Sequence, residues 1–84
     1  MDLFKIADSG TANEIETIIN LPGVMPLASN ITKNPNATAE QLTKIYNRGA
    51  FNATIDRNLA NHPNTPSHIA CKAIDRFYTY QYED

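Results

Sequence analysis

The stretch NPNATAEQL, residues 34–42, returns further along the chain as HPNTPSHI, residues 62–69. Both belong to a longer repeat, because Thr11, Thr38 and Thr65 follow one another at intervals of 27 residues. The three copies continue as TANEIETIIN, TAEQLTKIYN and TPSHIACKAI. A repeat of this period is typical of stacked supersecondary units, so it governs the prediction of the whole fold.

Each threonine predicts the start of a helix, because its hydroxyl can accept a hydrogen bond from a first-turn amide that has no partner within the helix. Glu14 and Gln41 follow the first two threonines by three residues, which is the capping-box arrangement. In the third copy, Pro66 is predicted at the first helical position, where its missing N–H costs little. We therefore expect each of the three threonines to cap a helix.

Apolar residues follow the threonines at the spacing of one helix face. The first two copies match position by position, and the third carries a wider stripe that predicts a longer helix. These positions are Ala12, Ile15, Ile18 and Ile19 in the first copy, Ala39, Leu42, Ile45 and Tyr46 in the second, and Ile69, Ala70, Ala73, Ile74 and Phe77 in the third.

Another apolar segment precedes each threonine, and residues 27–35 align without a gap with residues 55–63. Glycine, proline and asparagine stand at the joints, where they end helices and form turns. Each repeat is thus predicted to be a pair of short helices. We expect an all-α, single-domain, α-solenoid-like stack of six short helices in three helix-pair repeats, at about 1–21, 24–48 and 50–78, with a tail at 79–84.

The segments ITKNPNATAEQL and LANHPNTPSHI resemble the variant leucine-rich repeat family, whose units are short helical pairs joined by an Asn-Pro-x-Thr-Pro-like turn. The resemblance covers residues 27–76 and reaches residues 1–20 only through the second helix. In this chain Ala37 is inserted before Thr38, and Ala39 stands where a proline is typical. Membership would imply a helical solenoid and neither an enzyme nor a cofactor. The iron–sulfur cluster of some members needs clustered cysteines, and this chain has one.

Composition places the 84-residue chain among single globular domains, with 42% hydrophobic and 19% charged residues. No apolar run reaches the roughly 18 residues that span a bilayer, and MDLFKIADSG has neither the basic start nor the apolar stretch of a signal peptide. The single cysteine cannot form an intramolecular disulfide. We therefore expect a cytoplasmic protein that is not inserted in a membrane and carries no cofactor.

The candidates for catalysis or metal binding lie around the third helix. His68 and Cys71 are one turn apart, a spacing that can hold two metal ligands, and His62 is near them in sequence. Further ligands are lacking, so no metal site is expected. A Cys–His–Asp relay that also includes Asp75 would run along one helix, where three side chains cannot easily meet around a reacting carbon. We expect Cys71 to be packed as a small apolar residue and the protein not to be an enzyme.

The basic residues of the second and third repeats form the first candidate contact surface. Lys44 with Arg48, and Lys72 with Arg76, are i,i+4 pairs in matching places, so stacked repeats could align them in one strip. Residues 1–20 carry a net charge of −3 and residues 33–76 a net charge of +3. The strip is either a solvated face or a contact for an acidic protein or nucleic acid. With Arg57, it supports the alternative function of a nucleic-acid-associated module, for which the positive charge is small.

The tail FYTYQYED forms the second candidate surface. Tyr78, Tyr80 and Tyr82 line one face if the tail is extended, while Tyr78 and Tyr82 share a side if it is helical. Tyrosine buries a large area at low entropic cost, so we predict a contact with a partner or a homodimer contact here. The function predicted from the sequence is a non-catalytic protein-binding module, a small regulator, inhibitor or adaptor of a larger assembly of phage or bacterial type.

Overall fold

The computed structural model describes residues 2–21, 23, 25–48 and 52–82. These residues form six α-helices, and a short 3₁₀ helix, Met25–Leu27, precedes the third. The expected all-α class and six-helix count are confirmed for the described residues. The helices are α1 (Leu3–Ser9), α2 (Ala12–Ile19), α3 (Ala28–Lys33), α4 (Ala39–Asn47), α5 (Ala53–Asn61) and α6 (Ser67–Tyr82).

Capping boxes begin α2 and α4, as the sequence predicts. The Thr11 hydroxyl accepts from the Glu14 amide at 3.2 Å, and the Glu14 carboxylate accepts from the Thr11 amide at 2.9 Å. Thr38 and Gln41 form the same reciprocal pair at 3.2 and 3.0 Å. Two amides that lack intrahelical partners are therefore satisfied at each helix start.

The third threonine does not cap its helix, so the prediction for Thr65 was wrong. The first intrahelical bond of α6 runs from the Ala70 amide to the Pro66 carbonyl at 2.9 Å. Pro66 therefore takes the place that Thr38 holds in α4, and not the first helical position. The Thr65 hydroxyl is buried and makes no hydrogen bond within the described part of the chain. The spacing between the second and third helix starts is thus 28 residues, and Ala37 is the counterpart of Thr65 and not an insertion.

Replacing Thr38 and Thr65 by valine is expected to have opposite effects. Thr38→Val removes a capping bond and should destabilise the protein by about 1–2 kcal/mol. Thr65→Val removes a buried hydroxyl without a partner and should be neutral or stabilise it by up to about 1 kcal/mol. Urea unfolding followed by circular dichroism measures both. Equal losses in the two variants would show that Thr65 is also a cap.

The helices pack as three pairs. α1 packs on α2, α3 on α4 and α5 on α6, while α3 also contacts both α1 and α5. The first helices of the pairs therefore follow one another along a body 41 Å long and 24 by 18 Å across. One hydrophobic core runs through the pairs, and its largest fully buried apolar side chains are Ile15, Ile18, Ile19, Ile31, Leu42, Ile45 and Leu59.

The ends of the chain depart from the predicted apolar stripes. On α1 only Ala7 is buried, while Leu3 and Phe4 are exposed. On α6, Ile69 and Ala73 are buried, but Ile74 is 39% exposed. Part of the apolar stripe of α6, which was expected to pack in the core, therefore lies on the surface.

The structure decides two points about the third repeat: the burial of Cys71 and the conformation of the tail. Cys71 is exposed, so its predicted packing was wrong. The tail continues α6 as a helix as far as Tyr82. The side chains of Tyr80 and Tyr82 lie outside the part of the chain that the structure describes.

Candidate functional site

The repeated Asn-Pro-Asn and His-Pro-Asn turns join the helix pairs to one another. The buried Asn34 side chain donates to the carbonyls of Ala7 and Gly10, both at 3.1 Å. One pair later, His62 repeats this contact, since its Nε2 lies 2.7 Å from the Asn34 carbonyl oxygen. The first residue of each of these turns therefore binds backbone of the preceding pair.

Asn34 and His62 make equivalent hydrogen bonds in the two turns. The Asn34 side-chain oxygen accepts from the Asn36 amide at 2.9 Å, and Nδ1 of His62 accepts from the Asn64 amide at 3.0 Å. Because Nδ1 accepts and a carbonyl faces Nε2, the hydrogen-bond pattern assigns the neutral ring with its proton on Nε2. His62 is therefore engaged on both nitrogens by the scaffold.

The asparagine two residues later forms a second line of bonds. The side chain of Asn36 donates to the Gly10 carbonyl at 3.0 Å, and that of Asn64 donates to the Ala37 carbonyl at 2.9 Å. Gly10 is itself constrained, since a Cβ there would lie 2.6 Å from the Ile6 carbonyl oxygen. The Asn-Pro-Asn and His-Pro-Asn turns thus use their polar side chains to hold successive pairs together.

The basic side chains of α4 are bonded to α2. Nζ of Lys44 lies 3.2 Å from the Glu16 carboxylate, and the guanidinium of Arg48 donates to the Asn20 side chain at 3.1 Å. The Gln41 side chain also donates to Glu16, at 3.1 Å. The structure thus gives Lys44 and Arg48 contacts between the first and second pairs.

These contacts lower the pKa of Glu16, chiefly through the hydrogen bond from Gln41 and then through Lys44. The native pKa lies below the unfolded one, so the resulting stabilisation is complete above the unfolded pKa. It is lost as the pH falls through the native pKa.

Glu16→Gln is expected to make stability less dependent on pH in the acid range. The amide still accepts from Gln41 but does not titrate, so the variant should lose less stability than the wild type between about pH 7 and about pH 3. Urea unfolding at the two pH values measures the difference. An identical loss in both proteins would show that ionisation of Glu16 does not contribute to stability.

Arg76, the last residue of the predicted basic strip, forms a buried ion pair. Its Nε lies 3.1 Å and its Nη2 2.6 Å from oxygens of Asp56, whose side chain is fully buried. The guanidinium also lies over the Tyr46 ring, 4.3 Å from its centroid. Arg76 thus connects α6 to both α5 and α4.

The remaining candidates on the third pair are exposed. Lys72 and Arg57 face solvent, as do His68, Cys71 and Asp75. Within the described residues, no group of three or more His, Cys, Asp or Glu could hold a metal ion.

Exposed apolar side chains meet in a groove between α5 and α6. Phe77 and Tyr78 pack edge to face there, with ring centroids 5.9 Å apart, and Tyr78 is 52% exposed. Of the predicted contact tyrosines, Tyr78 is the one whose side chain the structure places. The groove is lined by Arg57, Ala60, Asn61, Ile74, Phe77 and Tyr78.

The groove has a counterpart on the second helix pair, where other residues of the chain contact it. Asn58 of the third pair donates to the Ser29 carbonyl and Thr32 hydroxyl of the second, and Arg76 lies over Tyr46. The residues 28 positions after Ser29, Thr32 and Tyr46 are Arg57, Ala60 and Ile74, which line the groove. Among the described residues, the groove therefore corresponds to the surface of the second pair that α5 and α6 contact.

At the other end of the described chain, the exposed Phe4 has charged neighbours. Phe4 is 65% exposed, but the cleft it lines also contains the charged residues Asp2, Lys5, Asp8 and Lys33. The sequence did not single out Arg57 and Ile74 as a joint surface, although the wide apolar stripe of the third copy was a signal for it.

None of the helices formed by the described residues is long and apolar enough to cross a membrane. Comparison of the chain with protein-family models, with curated proteins and with solved structures finds no match.

Proposed function

We propose that this chain is a non-catalytic protein-binding module and that its contact surface is the groove between α5 and α6. The observation that carries this proposal is the exposure of Ile74 and Tyr78 side by side with Phe77 on the third helix pair. Aromatic and aliphatic side chains that meet in one groove are what the centre of a protein interface uses.

Most of the polar candidate residues bond within the chain, whereas Arg57 in the groove is exposed, and this contrast supports the same proposal. The turn asparagines, His62 and three of the four residues of the basic strip bond within the chain, where they join the helix pairs. The groove residue Arg57 is exposed and has no ion-pair partner among the described residues. A charged side chain at the rim of an apolar groove contributes to partner selection and association rate.

The biological setting rests on size and composition. We infer that the protein is a small regulator, inhibitor or adaptor of a larger protein assembly, of phage or bacterial type and located in the cytoplasm. The α-solenoid-like stack and the resemblance to variant leucine-rich repeats belong to this proposal. They are supported by the order α1, α3, α5 and by turn contacts that recur between successive pairs.

Affinity capture with matched variants tests the function. Ile74→Asp places a charge in the groove, and Leu21→Asp makes the same kind of change at a side chain of similar exposure outside it, 43% against 39%. With each variant's helicity verified by circular dichroism, wild type and Leu21→Asp should retain the same proteins from a host lysate, and Ile74→Asp should lose them. Capture of nothing by the wild type, or equal capture by Ile74→Asp, would contradict the proposal.

A nucleic-acid-associated module has less support. Of its five basic residues, Lys44, Arg48 and Arg76 already bond within the chain, which leaves Arg57 and Lys72 exposed. Binding through phosphates weakens steeply with salt. Salt-sensitive binding of duplex or single strands that Arg57→Glu abolishes would favour this alternative over protein binding.

A further inference from the structure

The groove between α5 and α6 matches a surface that receives helices within this chain. On the second pair, α5 and α6 make side-chain contacts with Ser29, Thr32 and Tyr46. Three groove residues lie 28 positions after these contact points, namely Arg57, Ala60 and Ile74. The places that receive helices on the second pair therefore have counterparts in the groove, and a helix is the kind of element that this surface accepts.

The chemistry of the two surfaces differs, which disfavours an occupant with the side chains of α5 and α6. On the second pair, a side-chain amide of α5 donates to the Thr32 hydroxyl at 3.3 Å, and a guanidinium of α6 lies over the Tyr46 ring. In the groove, the methyl group of Ala60 replaces the hydroxyl, and the aliphatic Ile74 replaces the ring. A polar group seated there would lose these partners, which costs free energy on burial. Apolar side chains suit both places.

The groove has room for a large side chain but is small for a small-molecule ligand. Its volume is about 230 Å³, whereas small-molecule pockets begin at roughly 300 Å³. Its walls are mainly apolar, since Ala60 comes from α5, and Ile74, Phe77 and Tyr78 come from α6. An apolar side chain that projects from a helix can therefore insert here as the anchor of an interface.

The charge of the groove favours an acidic partner. Among the described residues that line it, Arg57 is the one charged residue, and its side chain is exposed. The adjacent Asp56 is fully buried in its ion pair with Arg76. No ion pair within the described residues includes Arg57. A carboxylate on the partner can pair with Arg57, while a lysine in the same place would be repelled.

We propose that the α5–α6 groove binds an amphipathic α-helix of another protein. This helix inserts an apolar side chain among Ile74, Phe77 and Tyr78 and places a carboxylate opposite Arg57. The inference rests on the proposed protein-binding function and specifies the chemistry of the partner. Anchor and carboxylate must lie on the same side of the bound helix, at i,i+3 or i,i+4 spacing.

Two model peptides of about 15 residues, a length at which isolated helices begin to be stable, test this proposal. Both have the same apolar face of leucine and phenylalanine, which is flanked by glutamates in one peptide and by lysines in the other. In NMR titrations of the labelled protein, the glutamate peptide should shift the amide signals of residues 57–61 and 74–78. It should bind about fivefold more tightly than the lysine peptide. No binding at millimolar concentration, shifts confined to other residues, or equal affinities would overturn the proposal.

The variant Arg57→Glu separates the ion pair from general apolar attraction. It should reverse the preference and bind the lysine peptide more tightly than the glutamate peptide. Lys72→Glu makes the same change of net charge at another exposed base and should keep the wild-type preference. Ile74→Asp should lose both peptides. An unchanged preference in Arg57→Glu, or undiminished binding by Ile74→Asp, would contradict the proposed contact.

These titrations and the capture experiment fail in distinguishable ways. If proteins are captured through Ile74 but neither peptide binds, the protein-binding function stands and the acidic helix is excluded. If nothing is captured and neither peptide binds, both proposals are overturned. If the signals of residues 57–61 and 74–78 shift with protein concentration in the absence of peptide, a second copy of the chain is the occupant and the inference is wrong.

Discussion

Arg76→Met is expected to destabilise the protein by about 3–5 kcal/mol, because it leaves the carboxylate of Asp56 buried without its ion-pair partner. A domain of this length is stable by only about 4–13 kcal/mol, so a large share of the folding free energy would be lost. Urea unfolding followed by circular dichroism measures the change. A loss below about 1 kcal/mol would show that the ion pair is not needed to stabilise the buried carboxylate.

The chain supplies a matched control for this substitution. Arg48 lies 28 residues before Arg76, but its partner is the exposed side chain of Asn20. Arg48→Met should therefore cost less than about 1 kcal/mol. The double variant Asp56→Leu with Arg76→Met should recover most of the lost stability, since apolar groups can replace a buried ion pair at little cost. Failure to recover would point to lost packing as the main cause.

Asn34→Ala is expected to destabilise the protein by about 2–4 kcal/mol. The substitution removes the bonds to the carbonyls of Ala7 and Gly10 and the acceptor for the Asn36 amide, in a place that is fully buried. Urea unfolding again gives the magnitude.

The same turn provides a control for Asn34→Ala. The exposed Asn36 donates to Gly10 through a single bond, so Asn36→Ala should cost about 1 kcal/mol. Similar losses in the two variants would mean that the buried hydrogen bonds of Asn34 stabilise the protein no more than the single bond of Asn36. The scaffold role assigned to the turns would then be wrong.

Local signals in the sequence predicted the helices well. Threonine, glutamate and glutamine at capping spacing act within one helical turn, so their positions alone placed the starts of α2 and α4. The predicted start of α6 was one residue too early, because Pro66 and not Thr65 stands at the cap position. The gap-free alignment of residues 55–63 with residues 27–35 already indicated a repeat length of 28 residues.

The candidate site was less predictable because it depends on contacts between distant residues. The Asp56–Arg76 pair joins residues 20 positions apart on different helices, so the sequence did not predict that Arg76 of the basic strip bonds within the chain. The sequence signal for this buried pair was Asp56, an acid directly after Ile55 on the apolar face of its helix. Ile74 belongs to the apolar period of its helix, but it is exposed because none of the described residues covers it as a following pair would.

The most direct test of the account is amide hydrogen exchange of the chain alone and bound to a protein that it captures. If α5 and α6 form the contact surface and the turns only hold the scaffold together, exchange should slow at residues 57–61 and 74–78. It should remain unchanged at the turns, residues 34–37 and 62–65. Slowed exchange at the turns, or along α2 and α4 around Lys44 and Arg48, with no change at α5 and α6, would contradict the account.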